Sequence, residues 1–182
     1  MIPALIRVAT PDDIPVLNEL IASSVKVLQA GDYTPAQIEG ALGTVLGLDT
    51  QLITDGTYLV AEIEDGAIAG CGGWSMRRTL FGSDHGPNRE DTLLDPKTDA
   101  AKIRAIFIHP DYARRGLGSL ILKACEDAAM AAGFRKFEMG STLTGIPLYK
   151  LKGYVGGEMV QVPLWNGEHL PVPKMTKSVE AN

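Results

Sequence analysis

Arg114-Arg115-Gly116-Leu117-Gly118-Ser119 combines two cations with two closely spaced glycines, a pattern suited to holding an anion. Glycine removes a side chain where a ligand must approach the backbone, and a helix that starts here exposes unpaired N–H groups and the positive end of its dipole. A diphosphate fits that description. The segment lacks the Gly-Lys-Ser/Thr of a P-loop, and Ile121 stands where the dinucleotide fingerprint needs its third glycine, so both nucleotide readings lose ground. From Lys102 to Arg115, four cations (Lys102, Arg104, Arg114, Arg115) face one anion (Asp111), a local charge of +3 in a chain of net charge -5. An anionic ligand is drawn to this segment, while the chain as a whole is not built for nucleic acid or an anionic membrane surface.

The elements that must position this loop follow from local grammar. Leu5 to Ala9 alternates as a short strand. Thr10-Pro11 with Asp13, and Thr34-Pro35 with Gln37, are capping boxes opening two helices, the first carrying Leu17, Leu20 and Ile21, the second Ile38, Ala41, Leu42 and Val45. Thr57 to Ile63 and Ala67 to Met76 read as an antiparallel hairpin turned at Asp65-Gly66. Arg77 to about Asp99 shows no period and is a candidate lid. Ile103 to Ile108 is a buried strand ended by His109-Pro110, and a helix from Leu117 to Gly133 follows the glycine loop. Phe134 to Thr142 is a strand, Pro147 to Lys152 a short helix, and Tyr154 to Pro163 pairs with Leu170 to Lys177 across Asn166-Gly167. The chain of 182 residues, 45% hydrophobic and 21% charged, therefore reads as a single α/β domain over 1–182 with one parallel crossover. Two cysteines are too few for a disulfide framework or a four-thiolate metal site, and no apolar run reaches the ~20 residues that span a bilayer. A reducing, cytoplasmic setting is the expectation.

Ala105-Ile106-Phe107-Ile108-His109-Pro110 followed by Arg114-Arg115-Gly116-Leu117-Gly118 resembles the acetyl-CoA signature of the GNAT superfamily of N-acetyltransferases. The element order matches over nearly the whole chain. The motif's usual first residue, Gln or Arg, is Ala113 here, a mild departure because such a loop binds through backbone N–H groups. Gly145-Ile146-Pro147-Leu148-Tyr149-Lys150-Leu151-Lys152-Gly153-Tyr154 is similar to the family's short-helix segment, and Thr142 stands seven residues before Tyr149 where many members have a cofactor-contacting asparagine.

The resemblance implies a GNAT-like mixed sheet of about seven strands, with a V-shaped splay between the fourth and fifth, and about four helices. It implies transfer of an acetyl group from acetyl-CoA to the amine of a small molecule by direct attack in a ternary complex. Arg114, Arg115, Gly116, Leu117, Gly118 and Ser119 would then hold the diphosphate and Ile106, Phe107 and Ile108 the pantetheine arm, with an oxyanion donor near Phe107 or Ile108. Thr142 would take the asparagine's place, and Tyr149 would be the general acid. A homodimer through the final hairpin is a further implication. A non-catalytic CoA-binding or regulatory module of the same fold, or a transferase of a longer acyl group, are the alternatives.

Other residues carry weaker signals. Glu62, Glu64, Glu138, His85 and His109 are candidate bases for the acceptor amine. Cys71 in Gly70-Cys71-Gly72-Gly73-Trp74 reads as a small buried thiol ahead of a nucleophile, the adjoining glycines as close backbone approach, and Trp74 as core ahead of pocket lining. Arg77-Arg78 suits a carboxylate-bearing acceptor or plain solvation. Arg104 shares parity with Ile106 and Ile108, so unless a bulge intervenes it points to their face, where a buried charge requires a partner.

Overall fold

A computed structural model describes residues 2–180. Seven strands form one mixed sheet in the order β1-β2-β3-β4-β5-β7-β6: β1 Leu5–Val8, β2 Tyr58–Glu62, β3 Ile68–Ser75, β4 Ala101–Ile108, β5 Lys136–Gly140, β6 Val155–Pro163 and β7 His169–Ser178. Every neighbouring pair is antiparallel except β4 and β5. Gly66 and Gly167 turn the two hairpins at φ +85° and +84°, a conformation glycine adopts without a Cβ penalty.

Five α-helices cover the sheet: α1 Ile14–Leu28, α2 Pro35–Ala41, α3 Thr50–Thr54, α4 Leu117–Ala131 and α5 Ile146–Leu151. Both capping boxes form. Thr34 Oγ1 accepts from Gln37 N–H at 3.1 Å while the Gln37 side chain accepts from Thr34 N–H at 3.0 Å, and Asp13 accepts from Thr10 N–H at 2.8 Å at the turn leading into α1. The second helix is shorter than its apolar spacing predicts. It stops at Ala41, Leu42 turns extended and Gly43 takes φ +83°, so Val45 is buried from an irregular segment. The extra turn, α3, is capped by Asp49, which accepts from Gln51 N–H at 3.1 Å.

Two apolar layers sandwich the sheet. Leu17, Leu20, Ile21 and Val25 of α1 pack with Tyr58, Val60, Cys71 and Phe107 on one face. Leu117, Ile121, Leu122 and Cys125 of α4 pack with Ile103, Phe134, Phe137 and Tyr149 on the other. An isolated helix of 15 residues is marginal in water, whereas each fully buried aliphatic side chain contributes ~1.5–3 kcal/mol, so packing decides where α4 lies. Gly70 and Gly72 let it lie close: a Cβ on Gly70 would stand 2.9 Å from Ile121 Cδ1, and one on Gly72 2.8 Å from Ile121 Cγ2. Trp74 is core, its ring 6.0 Å from Phe134 in an edge-on contact.

Residues 77–99 form an ordered irregular hairpin. Arg77 bridges to Leu93, Arg78 N–H donates to Thr92 O, and Ser83 N–H and Asp84 N–H donate to Thr44 O and Leu48 O, tying the segment to the stretch before α3. No helix among the described residues is long and apolar enough to cross a membrane.

Candidate active site

The β4–β5 ladder is where the sheet opens. Only Ala101↔Phe137 and Lys102↔Glu138 pair, and beyond them the two strands part. In an antiparallel ladder the hydrogen-bonding direction alternates along the strand. His109 N–H donates to Ala69 O at 2.9 Å, so Phe107, two residues earlier and opposite Cys71, also faces β3. The N–H and C=O groups of Ile106 and Ile108 therefore face the open side, free for an extended ligand. Of the two residues expected near an oxyanion, Phe107 directs its N–H at β3 and Ile108 directs its own at the open side.

A β-bulge re-aims the strand just before this edge. The register slips between Cys71 and Gly73, and Ala105 takes φ +50°, a left-handed value that costs a non-glycine residue ~1–3 kcal/mol and must be held by its surroundings. Tyr58 Oη donates to Ala105 O at 2.9 Å and supplies part of that hold. The bulge is also what decides Arg104. Its guanidinium leaves the face of Ile106 and Ile108 and donates from Nη2 to Asp49 Oδ2 at 2.9 Å and Gly82 O at 2.7 Å, and from Nη1 to Thr79 O at 3.1 Å.

The opening leads into a cleft lined by Val45 to Gly47, Leu80 to Gly82, Ile103 to Phe107, Met139 to Thr142 and Tyr149. Tyr149 reaches it from α5. Its ring lies over Gly145, where a Cβ would stand 2.6 Å from Tyr149 Cε2, and meets Tyr154 edge-on at 5.9 Å. The Tyr149 hydroxyl has no hydrogen-bond partner among the described residues, and burial pushes its pKa well above the ordinary phenol value, with buried Cys125 adding to the effect. It remains a protonated donor at neutral pH. Thr142 Oγ1 accepts from Gly145 N–H at 3.1 Å, helping start α5 and keeping its own O–H as a donor.

The glycine loop lies at the N-terminus of α4. Arg114 and Gly116 have φ +62° and +88°, left-handed values of the kind found where successive N–H groups form an anion-binding concavity. The N–H groups of Arg114 through Ser119 have no hydrogen-bond partner among the described residues. Gly118 brings this loop against α5, since a Cβ there would stand 3.1 Å from Leu148 Cδ2. Of the four cations counted between Lys102 and Arg115, Lys102 pairs with Glu138 and Arg104 with Asp49. Only Arg114 and Arg115 remain exposed at the loop, the latter over the Tyr112 ring at 5.9 Å.

None of the five candidate bases lines the cleft. Glu62 pairs with Arg7 at 2.7 Å, Glu64 is exposed in the hairpin turn, and His109 Nδ1 accepts from Asp111 N–H at 3.2 Å. Burial raises the Glu138 pKa, but ion pairs with Lys102 and Lys174 outweigh it and hold the carboxyl below its usual range. His85 lines a separate hollow against α1. Cys71 is fully buried, and burial pushes its thiol up to about 12, which removes it as a nucleophile at neutral pH. Arg77 is held by Asp55 at 2.7 Å, so it is not free to grip an acceptor. Asp49, the partner Arg104 requires, carries no signal in the sequence beyond being an acid, and it stands 55 positions away.

Residues 28–154 match the model of the Acetyltransferase (GNAT) family. A search of curated protein sequences gives no match. Among solved structures, a GCN5-related N-acetyltransferase from Rhodopseudomonas palustris is similar at TM-score 0.73 and 23% identity, over 98% of each chain. PaiA N-acetyltransferase from Thermoplasma acidophilum, solved with coenzyme A, is similar at TM-score 0.65 and 15% identity, over 98% of this chain and 100% of that one. YncA from Salmonella typhimurium, a structure with acetyl-CoA, is similar at 0.62 and 20%, over 99% and 96%. At these identities the likeness is one of fold.

Proposed function

The chain belongs to the GNAT acetyltransferase family, and on that premise we propose that it is an N-acetyltransferase moving the acetyl group of acetyl-CoA to the amine of a small molecule by direct attack. The observation that carries the reading is the conjunction of an open β4 edge at Ile106 and Ile108, a neutral tyrosine in the cleft that Ile106 also lines, and an N–H cradle at residues 114–119 where α4 starts. Each answers a demand of the donor. A diphosphate needs converging N–H groups, to which Arg114 and Arg115 add charge-assisted contacts. The amides of a pantetheine arm need a strand edge, and Ile106 and Ile108 offer one.

The thioester supplies an electrophilic carbonyl carbon and a sulfur leaving group. The acceptor nitrogen bonds to that carbon as the C–S bond breaks, and the Ile108 N–H meets the negative charge gathering on the carbonyl oxygen. Tyr149 Oη gives its proton to the departing sulfur, and the nitrogen loses its proton to water, since no acidic side chain lines the cleft among the described residues. Thr142 keeps an O–H free for the donor.

Thiol release followed across an amine panel is the test, with coenzyme A binding measured by calorimetry. Tyr149→Phe is expected to lower kcat about a hundredfold, the lower end of what a positioned general acid contributes because a thiolate leaves readily, with the KM for acetyl-CoA unchanged. Coenzyme A binding without turnover on any amine would instead identify a binding module, and no binding would refute the reading.

A further inference from the structure

Arg104 is the one charged residue lining the cleft among the described residues, and its donor set is not full. A guanidinium carries five N–H donors. Three are engaged, by Thr79 O, Asp49 Oδ2 and Gly82 O, which leaves the Nε–H and one Nη1–H without partners among the described residues. The residue is 3% exposed, so these donors have only a narrow access to solvent. The guanidinium lies at the seam between β4 and the segment Thr79 to Gly82, and both sides of that seam line the cleft.

The local charge points the same way. The Asp49 carboxylate is shared between buried Arg104 at 2.9 Å and half-buried Arg89 at 3.1 Å, so Arg104 does not have the acid to itself. Asp91, at 3.4 Å, and Asp84 also face Arg89, which leaves the Asp49 carboxylate as the one acid paired with Arg104. The remaining walls are apolar or hydroxylic, with Leu46, Leu80, Phe81 and Met139 beside Ser141 and Thr142.

Resting on the acetyl-transfer reading above, we propose that the acceptor is an amine bearing a carboxylate and an apolar body, an amino acid in class, and that Arg104 receives the carboxylate through its unfilled N–H donors. Arg104 then sets specificity, while Tyr149 and the β4 edge serve the chemistry. Polyamine acceptors are disfavoured by the Arg104 charge and by the lack of acids among the described lining residues.

Matched pairs test it: leucine against leucinamide and phenylalanine against phenylalaninamide, at a pH where both amines are largely unprotonated, followed by thiol release. The wild-type chain is expected to favour the carboxylate member in kcat/KM by roughly tenfold or more, chiefly through KM. Arg104→Gln should bring that ratio near one, and Arg104→Lys, which keeps the charge but not the fork, should fall between. A merely structural role would slow both members alike and leave the ratio standing. Equal use of both members by the wild-type chain, which needs no variant, overturns the proposal, as does a preference surviving in both variants. If no amine turns over, titration of the coenzyme A-loaded protein with each member decides, and equal or absent binding overturns it. Absence of coenzyme A binding strikes the transfer reading alone, and titration of the free chain with the same pairs then decides on Arg104.

Discussion

Replacing Asp49 by alanine should be among the most damaging single changes outside the apolar core. Its carboxylate is 1% exposed, pairs with Arg104 at 2.9 Å and Arg89 at 3.1 Å, and caps α3 through Gln51 N–H at 3.1 Å. Without it, Arg104 keeps only the carbonyls of Thr79 and Gly82 inside the protein. Leaving one member of a buried pair uncompensated costs about 3–5 kcal/mol, and losing a side-chain cap costs about 1 kcal/mol more. The sum of about 4–6 kcal/mol is a large share of the 5–15 kcal/mol that holds a typical domain folded. Arg104→Met should cost clearly less, because Asp49 still has Arg89 and its place at the cap. Urea unfolding followed by circular dichroism reads the difference: with a slope of about 1–3 kcal/mol/M, the Asp49→Ala midpoint falls by about 1.3 M or more. The double variant should be less damaged than the two singles added together, with a coupling of about 1–3 kcal/mol. An Asp49→Ala loss below about 1 kcal/mol, or an Arg104→Met loss exceeding it, would refute the claim that this acid compensates a buried charge.

Three further outcomes are expected. Arg114→Gln with Arg115→Gln should weaken coenzyme A binding about tenfold and reduce its salt dependence, measured by calorimetry at two ionic strengths; an unchanged salt slope would show the side chains idle. Native Cys71 should resist alkylation at pH 8, with its thiol pushed up to about 12, and Cys71→Ala should keep transferase activity; an acetyl group found on Cys71 would reverse that conclusion. The hydrogen bond and ion pair from Arg7 hold the Asp13 carboxyl at about 2, below its unfolded value of ~3.9. Its contribution to stability is complete above pH ~4 and is lost as pH falls toward 2, so Arg7→Gln should flatten the melting-temperature decline across that window. An identical decline in both proteins would count against the pairing.

Features written in neighbouring residues were legible from the chain. Both capping boxes, the turns at Gly66 and Gly167, and the glycine loop at 116 and 118 each depend on chemistry within a few positions, and all appear in the fold. What escaped depends on distant partners. The strand alternation of Arg104 was readable, but its reversal was not, because the bulge sits at Ala105, an alanine carrying no turn signal. The local charge of +3 fell to +1 once Lys102 met Glu138 and Arg104 met Asp49, acids 36 and 55 positions away. The apolar spacing of Leu42 and Val45 suited a longer α2, yet Gly43 between them favoured a left-handed turn that tertiary packing adopted. Glu138 looked like a base in sequence and is a carboxylate locked between two lysines.

The bare positions at Gly70 and Gly72 make β3 a caliper. They set how low α4 rides on the sheet, and α4 carries the proposed diphosphate cradle at its first turn while β4, on the same sheet, carries the edge proposed for the rest of the donor. The gap between cradle and edge is thus gauged by two residues that touch neither. A methyl group at either one would lift the helix and mistune the span, so the reach of the ligand this chain accepts is written in side chains it does not have.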